Sequence, residues 1–352
     1  MACATDGGLA PRSSTSFGRW LCAVCMLLVA FAERAGAADH EPLPVRNQMP
    51  MSAVFLDFVP LSAEAIGRGV VARRVSYHIA NMVMWEDENG VAMRMDLESH
   101  TAMVDLAYGV TERLTLRGAI GYRWHVGGIL DGFIEGVENA FGQPTPWSRE
   151  HSEDDETDWW IREGGVRTFD RPDPANALTD LSVEVDWQVN RQRAWLPAAA
   201  LRLATKLPTA PTGDAMGSGG VDYGAGMAVS WGYGRSATHI NLDLARLADH
   251  DGLAGTAFAR TGTLRTATLS QVVGIGEWWD VVLQVEARNN PYRTEIDSIA
   301  EPLSAEVHLG ARRTLAGGGN WFLAITENTM DKMSPDFGVI LGIELRRGTA
   351  RP

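Results

Sequence analysis

Cysteine is confined to the first 25 residues of this 352-residue chain, at Cys3, Cys22 and Cys25. In the same segment, two arginines precede the apolar run Trp20–Phe31, and the small residues Ala35–Ala37 follow it. This order is typical of a secretory signal peptide, so we predict export and cleavage directly after that triplet. The exported chain would contain no thiol, and disulfide or cysteine–metal chemistry is therefore not expected of it.

The sequence also lacks an excess of basic residues and any long apolar run in its exported part. It has 31 lysines and arginines against 44 aspartates and glutamates, a formal net charge of −13. Attraction to phosphate needs a basic surface, so no nucleic-acid partner is expected. A transmembrane helix needs roughly 18 consecutive apolar residues, and no stretch after the signal peptide approaches that length. Apolar residues still make up 45% of the chain, so they must follow another pattern.

That pattern is alternation. Between Leu114 and Trp124 every second residue is apolar, small or aromatic, and the residues between them include one threonine and two arginines. A period of two over about 9 to 11 residues is typical of a tilted membrane strand. The same pattern recurs in residues 181–190, 221–231, 281–288, 305–312 and 337–346.

The connections between these segments alternate between short turns and long loops, which is typical of outer-membrane barrels. We therefore predict an all-β fold, a transmembrane antiparallel up-and-down β-barrel of twelve strands, formed by residues 38–352 as one domain after a signal peptide at 1–37. Closure is expected because hydrocarbon offers no partner to an unpaired backbone group. The predicted strands are residues 70–84, 99–109, 112–124, 180–190, 195–206, 220–232, 238–247, 263–275, 281–288, 304–314, 320–327 and 337–347.

Two features leave alternatives open. A periplasmic β-sandwich would also alternate, with the tryptophans in its core instead of at a membrane interface. The apolar segment 51–59 could form a thirteenth strand, an N-terminal plug, or a strap across the periplasmic mouth of the barrel.

Residues 125–179 separate two predicted strands and are expected to form a long outer loop. Apolar residues in 128–142 recur every three or four positions, which predicts a short amphipathic helix. It could lie over the outer mouth, at the lipid interface, or against the barrel rim. Residues 149–173 are acidic and could attract Ca²⁺ or Mg²⁺, but no calcium-loop motif is present, so we predict a solvated loop and no metal site. The apolar stripe of the predicted mouth helix is Ile129, Leu130, Phe133, Ile134, Val137 and Phe141.

Several blocks of the sequence are similar to those of one bacterial family. They are Leu43–Pro50, Leu106–Leu114, His125–Gly142 and Leu203–Thr209, the last followed by Gly217–Gly220. In this order they resemble the uncharacterised outer-membrane β-barrel family known as domain of unknown function 3187. The resemblance implies a barrel in the bacterial outer membrane and no particular activity. The Lys-Leu-Pro-Thr stretch is also similar to barrels encoded beside aromatic-degradation pathways, which implies uptake of small apolar compounds.

No catalytic or cofactor motif is found: the nucleophile elbow, the zinc-protease motif, the phosphate loop and the dinucleotide fingerprint are all missing. Histidines lie beside hydroxyl or acidic residues by type only, so we predict a protein that is not an enzyme and has no cofactor or catalytic residue. The charged set of the alternating pattern is expected to face the lumen, together with Lys206 and Asp222. It comprises Arg113, Arg117, Arg123, Glu184, Asp186, Arg202, Asp243, Glu286, Arg288, Glu306, His308 and Arg312.

From these features we predict a passive channel or uptake protein for small solutes, which could be apolar. The alternative is a barrel that conducts nothing and serves as a structural or surface-interaction protein; a barrel hydrolase is a weaker third hypothesis. The expected partners are outer-membrane lipid, a small-molecule solute and the barrel-assembly machinery that inserts such proteins.

Overall fold

The computed structural model describes residues 40–128, 157–294, 303–316, 318–329 and 333–348. These residues form one antiparallel sheet of fifteen strands, with two single-turn 3₁₀ helices at Gly213–Ala215 and Asp251–Leu253. Within the described part of the chain, no helix has the length and apolar character needed to cross a bilayer. The strands are β1 (Val71–Glu88), β2 (Val91–Gly109), β3 (Leu114–Val126), β4 (Asp158–Glu163), β5 (Val166–Arg171), β6 (Ala175–Leu178), β7 (Leu181–Asn190), β8 (Ala198–Leu207), β9 (Asp222–Tyr233), β10 (Ser236–Arg246), β11 (Thr263–Ile275), β12 (Trp279–Arg288), β13 (Ser304–Leu315), β14 (Gly319–Asn328) and β15 (Phe337–Arg347).

Twelve of these strands close into a barrel. β1 pairs with β2 on one side and with β15 on the other, in a continuous register from Val71 opposite Arg347 to Asn81 opposite Phe337. β3 pairs with β7, and each later strand pairs with the next. The three remaining strands, β4 to β6, come from the long insertion and extend the sheet beside the far ends of β2 and β3. The predicted twelve-stranded closed barrel is confirmed.

The two ends of the barrel differ in their connections. β1 begins and β15 ends at one rim, and the short turns such as 234–235 and 276–278 lie at that rim. The longer connections, 127–180, 208–221, 247–262 and 289–303, join strands whose neighbouring ends lie at the opposite rim. By the usual arrangement of such barrels, we call the first the periplasmic end and the second the outer end.

The outer wall is apolar across the middle of the barrel. Successive outward residues of β10, Ile240, Leu242 and Leu244, are 41–50% exposed. Their inward neighbours Asn241 and Asp243 are buried. This arrangement is expected when one face of each strand meets lipid and the other meets an enclosed interior.

Near the outer end of β2 the polarity of the two faces is reversed. Val104 and Leu106 face outward and are 44% and 51% exposed, whereas Met93 and Met95 lie on the inward face and are fully buried. Opposite them on the outward face lies Arg94, which is 3.5 Å from Asp158 of β4. The strand therefore runs from a region with an apolar exterior into one with an apolar interior.

A segment that precedes β1 occupies the lumen. Residues 40–66 have no regular secondary structure and are mostly buried. The segment begins near the periplasmic end, where His40 lies 2.8 Å from Asp280. It reaches the outer end at Met51, whose carbonyl accepts a hydrogen bond from Tyr292. It then returns to the periplasmic end, where the Ala65 amide donates to Gln188. We call residues 40–66 the plug; of the three alternatives for 51–59, the structure favours this one.

The turn of the plug packs into an apolar cluster at the outer end. Met49, Met51 and Phe55 contact the buried inward side chains of β1, β2 and β4 and those of the outer loops. The wall also makes room for the plug: a Cβ atom at Gly224 would lie only 2.7 Å from the Phe58 ring. Burial of one large apolar side chain contributes about 1.5–3 kcal/mol, so the burial of several of them stabilises the irregular segment in the lumen. The members contributed by the wall and the loops include Met82, Met93, Met95, Leu97, Trp159, Ile161, Leu253, Phe258, Tyr292 and Met333.

The structure differs from the predicted strands mainly at the outer end. β1 and β2 continue to a two-residue turn, Asn89-Gly90, with φ of 53° and 80°, so β2 begins at Val91 instead of residue 99. The described end of the insertion contains β4, β5 and β6, which were not predicted. The predicted mouth helix, with Ile129, Leu130, Phe133, Ile134, Val137 and Phe141, lies outside the described residues.

We expect Leu242→Arg to destabilise the barrel by about 2–4 kcal/mol, because it places a charge on the lipid-facing wall at mid-depth. The measurement is the free energy of unfolding by urea in lipid vesicles. Val166→Arg is the matched control: Val166 is 67% exposed in the β4–β5 hairpin, and there the change should be within about 0.5 kcal/mol. Equal losses at the two positions would contradict the assignment of the lipid-facing wall.

Candidate functional site

The backbone of the plug is held by side chains of the wall. Inside a closed sheet, an irregular segment needs partners for its own amide groups. The Leu61 amide donates to Asn241 Oδ1 and the Ala63 amide to Ser230 Oγ, at 3.3 and 2.8 Å. The same role is filled by Gln284 for Leu43, by Asp222 for Leu56 and by Gln188 for Ala65. The inner wall is thus complementary to this particular segment.

The largest ionic cluster of the lumen is centred on Arg202 of β8, whose side chain is fully buried. Its guanidinium lies 2.6 Å from Glu184 and 3.3 Å from Asp243. It also donates to the Val59 carbonyl of the plug at 2.7 Å. Asp186 in turn accepts from Arg117 at 2.5 Å. The cluster therefore joins four wall strands, β3, β7, β8 and β10, and the plug, and its two signs of charge largely compensate each other.

A second ionic cluster lies across the lumen. Arg288 contacts Glu286 of its own strand and Asp57 of the plug, the latter at 3.6 Å. Glu306 accepts a hydrogen bond from the plug residue Asn47 at 2.8 Å. The plug is thus tied to charged wall residues on both sides.

At the periplasmic mouth, Glu41 of the plug is clamped by two arginines of the wall. Arg346 of β15 makes a direct ion pair with Glu41, and Arg312 of β13 lies 3.5 Å from it. Burial by itself would raise the pKa of Glu41, but Arg346 and Arg312 hold it below its ordinary value. The Glu41 carboxylate is therefore charged at neutral pH and stabilises the inserted plug.

Eleven of the twelve predicted lumen residues are buried or half-buried inside the barrel, where most contact the plug or each other. Arg113 is the exception: it lies in the β2–β3 turn, is exposed, and donates to the Val189 carbonyl at the periplasmic rim. Arg113 precedes β3, which begins only at Leu114, so the inward direction expected from the strand's alternation does not apply to it. Whether these residues line a conducting path stays a prediction.

Sequence reasoning missed the charged groups of the plug and several charged groups of the wall. Arg46 lies 2.8 Å from Asp105 of β2, and Arg74 of β1 lies 2.7 Å from Glu344 of β15. Arg74 and Asp105 were accessible to the alternation argument, since both fall on the inward face of their strands. Arg46 and Glu41 gave no signal, because an irregular segment has no period.

A serine and a histidine of the kind found in catalytic pairs lie side by side on β9 and β10. Ser230 Oγ lies 2.8 Å from His239 Nδ1, but His239 Nε2 faces the His40 carbonyl instead of a carboxylate. A serine–histidine–acid relay needs an acid at that second nitrogen. Ser230 also accepts the Ala63 amide, so the pair serves to hold the plug. Among the described residues, no group of three or more histidine, cysteine, aspartate or glutamate side chains is arranged to hold a metal ion.

Two small cavities lie between the plug and the wall. The first, about 50 Å³, is bordered by plug residues 46–48 and 53–57 and by inward side chains of β2, β3, β7 and β8, with Arg123 among them. The second, about 40 Å³, is bordered by Arg117 and Glu184. Both share Arg46, Leu56, Asp57 and Ser182, so they are neighbours on one side of the plug. Each has room for only a few water molecules.

A closed twelve-stranded barrel with an apolar exterior and an occupied polar lumen resembles bacterial outer-membrane proteins. The solved outer membrane channel of Pseudomonas putida F1 has the same fold, with a TM-score of 0.56 at 12% identity, covering 83% of this chain and 100% of that one. The toluene transporter TbuX of Ralstonia pickettii is similar with a TM-score of 0.41 at 8% identity, covering 92% and 99%. The monoaromatic hydrocarbon channel CymD gives 0.38 at 10%, covering 81% and 90%.

A family model described as "Protein of unknown function (DUF3187)" matches residues 20–346, and the chain belongs to this family. The resemblance found in the sequence blocks is thereby confirmed. No curated protein is significantly similar in sequence to this chain.

We expect Arg202→Met to destabilise the protein by about 3–5 kcal/mol, because it leaves buried carboxylates without their cation. Arg191→Met is the control: its pair with Glu112 is exposed, with 3.8 Å between the charged atoms. Such a pair contributes about 0–1 kcal/mol. Urea unfolding of both variants in detergent measures the difference. A neutral effect at Arg202 would show that this cluster does not stabilise the native lumen.

Proposed function

We propose that this protein is an outer-membrane channel for small solutes, exported by its signal peptide and closed at rest by the plug. The observation that carries the proposal is that a separate segment fills the lumen, instead of large side chains of the wall. If the plug moved, it would leave a passage lined by the polar and charged residues that now hold it. Fixed polar side chains around a lumen are what an aqueous pathway requires.

The course of the plug supports a reversible opening. Both of its ends lie at the periplasmic mouth, at His40 and at Ala65, and its turn lies at the outer end. A segment of this shape can leave as a loop without threading its end through the barrel. Its many bonds to the wall favour the closed state, so opening would need a solute or another trigger that favours the displaced state.

The alternative is a barrel that conducts nothing, in which the plug is a permanent core. The observation that favours it is the closure itself: the clusters at Arg202 and Arg288 and the clamp at Glu41 fix the plug along its length. The two hypotheses differ in whether the plug can leave, so immobilising it distinguishes them.

A disulfide between Ala63→Cys and Ser230→Cys should block conductance reversibly. The Ala63 amide and the Ser230 side chain are 2.8 Å apart, so the new thiols would be close. Replacing Cys3, Cys22 and Cys25 by alanine leaves no other thiol in the chain. With the applied voltage as the trigger, we expect no openings in planar bilayers when the protein is oxidised and openings when it is reduced. The single variant Ala63→Cys should be insensitive to oxidation. Current that persists in the cross-linked protein, or silence in every state, would remove the proposal.

Glu41→Gln should increase the fraction of time that the barrel conducts. It removes the charge that Arg346 and Arg312 compensate, and therefore weakens the inserted state of the plug. The measurement is the open probability in planar bilayers at neutral pH. Glu277→Gln is the control, since Glu277 lies exposed in a short periplasmic turn. Identical traces from wild type and Glu41→Gln would show that this clamp does not control the plug.

A further inference from the structure

The inner face of β3 near the outer end carries an unusual concentration of hydrogen-bond donors. Arg123 and His125 face inward there and are 5% and 1% exposed. Beside them lies Arg171, at the end of β5 and 3% exposed. Arg123 and His125 pair with Ala177 and Ala175 of β6. Because β6 follows β5 directly, Arg171 at the end of β5 lies near them.

These donors have few acceptors. Within the described part of the chain, the two ring nitrogens of His125, the Nε and Nη2 atoms of Arg171 and the indole nitrogen of Trp159 are buried and have no hydrogen-bond partner. Trp159 belongs to the same group, since the Arg171 guanidinium lies 4.7 Å from its ring centre. Buried donors without partners are rare in proteins, and a missing ion or ligand is one recognised cause. The Arg171 and Trp159 nitrogens can only donate, so a group that accepts hydrogen bonds, such as an anion, suits this place.

The charged groups around the site are mainly basic. Those that act on His125 are Arg171, Arg123 and His100, whereas the acids that act on Arg123 and Arg171 are Asp180 and Asp214. Burial lowers the pKa of Arg171 to about 10, and Asp214 only partly offsets this effect. Arg171 itself is held through the Asp214 carbonyl at 2.8 Å instead of through a carboxylate.

Arg123 connects this group to the larger cavity. Its Nε donates to Thr101 and its Nη2 to the Ala53 carbonyl of the plug, at 3.3 and 2.9 Å. Within the described residues, its Nη1 has no hydrogen-bond acceptor and no carboxylate lies within ion-pair distance of the guanidinium. The other two cations of the cavity are compensated, Arg46 by Asp105 and Lys206 by Asp180 at 2.8 Å each.

The cavity also contains acidic and apolar groups that define what it can take. Asp57 and Asp180 border it, so a dianion with high charge density would be repelled from part of its surface. Val54 and Met103 supply an apolar side. In the closed state a volume of about 50 Å³ has room for a carboxylate group, in place of the few water molecules that it can hold.

We propose that Arg123 binds the carboxylate group of a small organic acid whose apolar body lies against the plug and the wall. His125 and Arg171 extend the site toward the outer end, along the way that a solute would take. The role of this site in passage rests on the proposed function, but the binding itself does not. A planar guanidinium matches a carboxylate in a two-pronged geometry, which explains an arginine at this place.

The test is calorimetric titration of the full-length protein in detergent with benzoate, with toluene as the uncharged analogue of the same shape. We expect benzoate to bind and Arg123→Met to weaken its binding by about 10- to 100-fold. Arg123→Lys should retain part of the affinity, because it keeps the charge. Arg113→Met is the matched control, since Arg113 is exposed at the opposite rim, and it should bind benzoate like wild type.

Several outcomes would overturn the inference: benzoate affinity unchanged in Arg123→Met, toluene bound as well as benzoate, or inorganic phosphate bound at Arg123 while benzoate is not. Thermal unfolding of each variant identifies a loss that is due to misfolding, and Arg123→Lys then provides the comparison. Binding without conductance in any state would remove the channel alone. Conductance that depends on the plug, without benzoate binding, would remove this site alone.

Discussion

The structure depends on one constraint: an irregular segment enclosed by a β-barrel must have its backbone polar groups satisfied by the wall. Asn241, Ser230 and Gln284 supply acceptors to three separate amides of the plug. Without the plug these buried side chains would need water, and without them the plug could not remain inside. The ionic clusters around Arg202 and Arg288 add charge compensation to this arrangement, and each includes a plug atom. Lumen and plug are thus one folded unit.

Much of the barrel could be predicted from the sequence because its wall separates two environments. Outward residues such as Leu242 must be apolar and inward ones such as Asp243 polar, so apolar and polar residues alternate along each strand. Ten strands were located within about three residues at each end on that basis. The charged lumen residues followed from the same alternation, with Arg113 as the one that falls in a turn.

The plug could not be derived in this way. Its residues are satisfied by partners that are far away in the sequence, such as Asp222 for Leu56, and no local period records such pairs. Its apolar residues showed only that segment 51–59 is buried somewhere. The candidate site at Arg123 was equally inaccessible, because the absence of acceptors around a donor is a property of three-dimensional packing. The short strands β4 and β5 were hidden within an acidic stretch whose composition favours a loop.

The outer part of β2 was missed for a different reason, and it has a wider consequence. Beyond about residue 100 the alternation continues toward the Asn89-Gly90 turn with its faces exchanged: Met93 and Met95 point inward while Arg94 points outward. One half of the strand has the apolar outward face of a membrane protein, and the other half has the polar outward face of a water-soluble protein. The point at which the outward face changes polarity opposes movement along the bilayer normal, because such movement would bring Arg94 into lipid or Val104 into water. In a membrane-embedded barrel, this strand would therefore help to fix the depth of insertion.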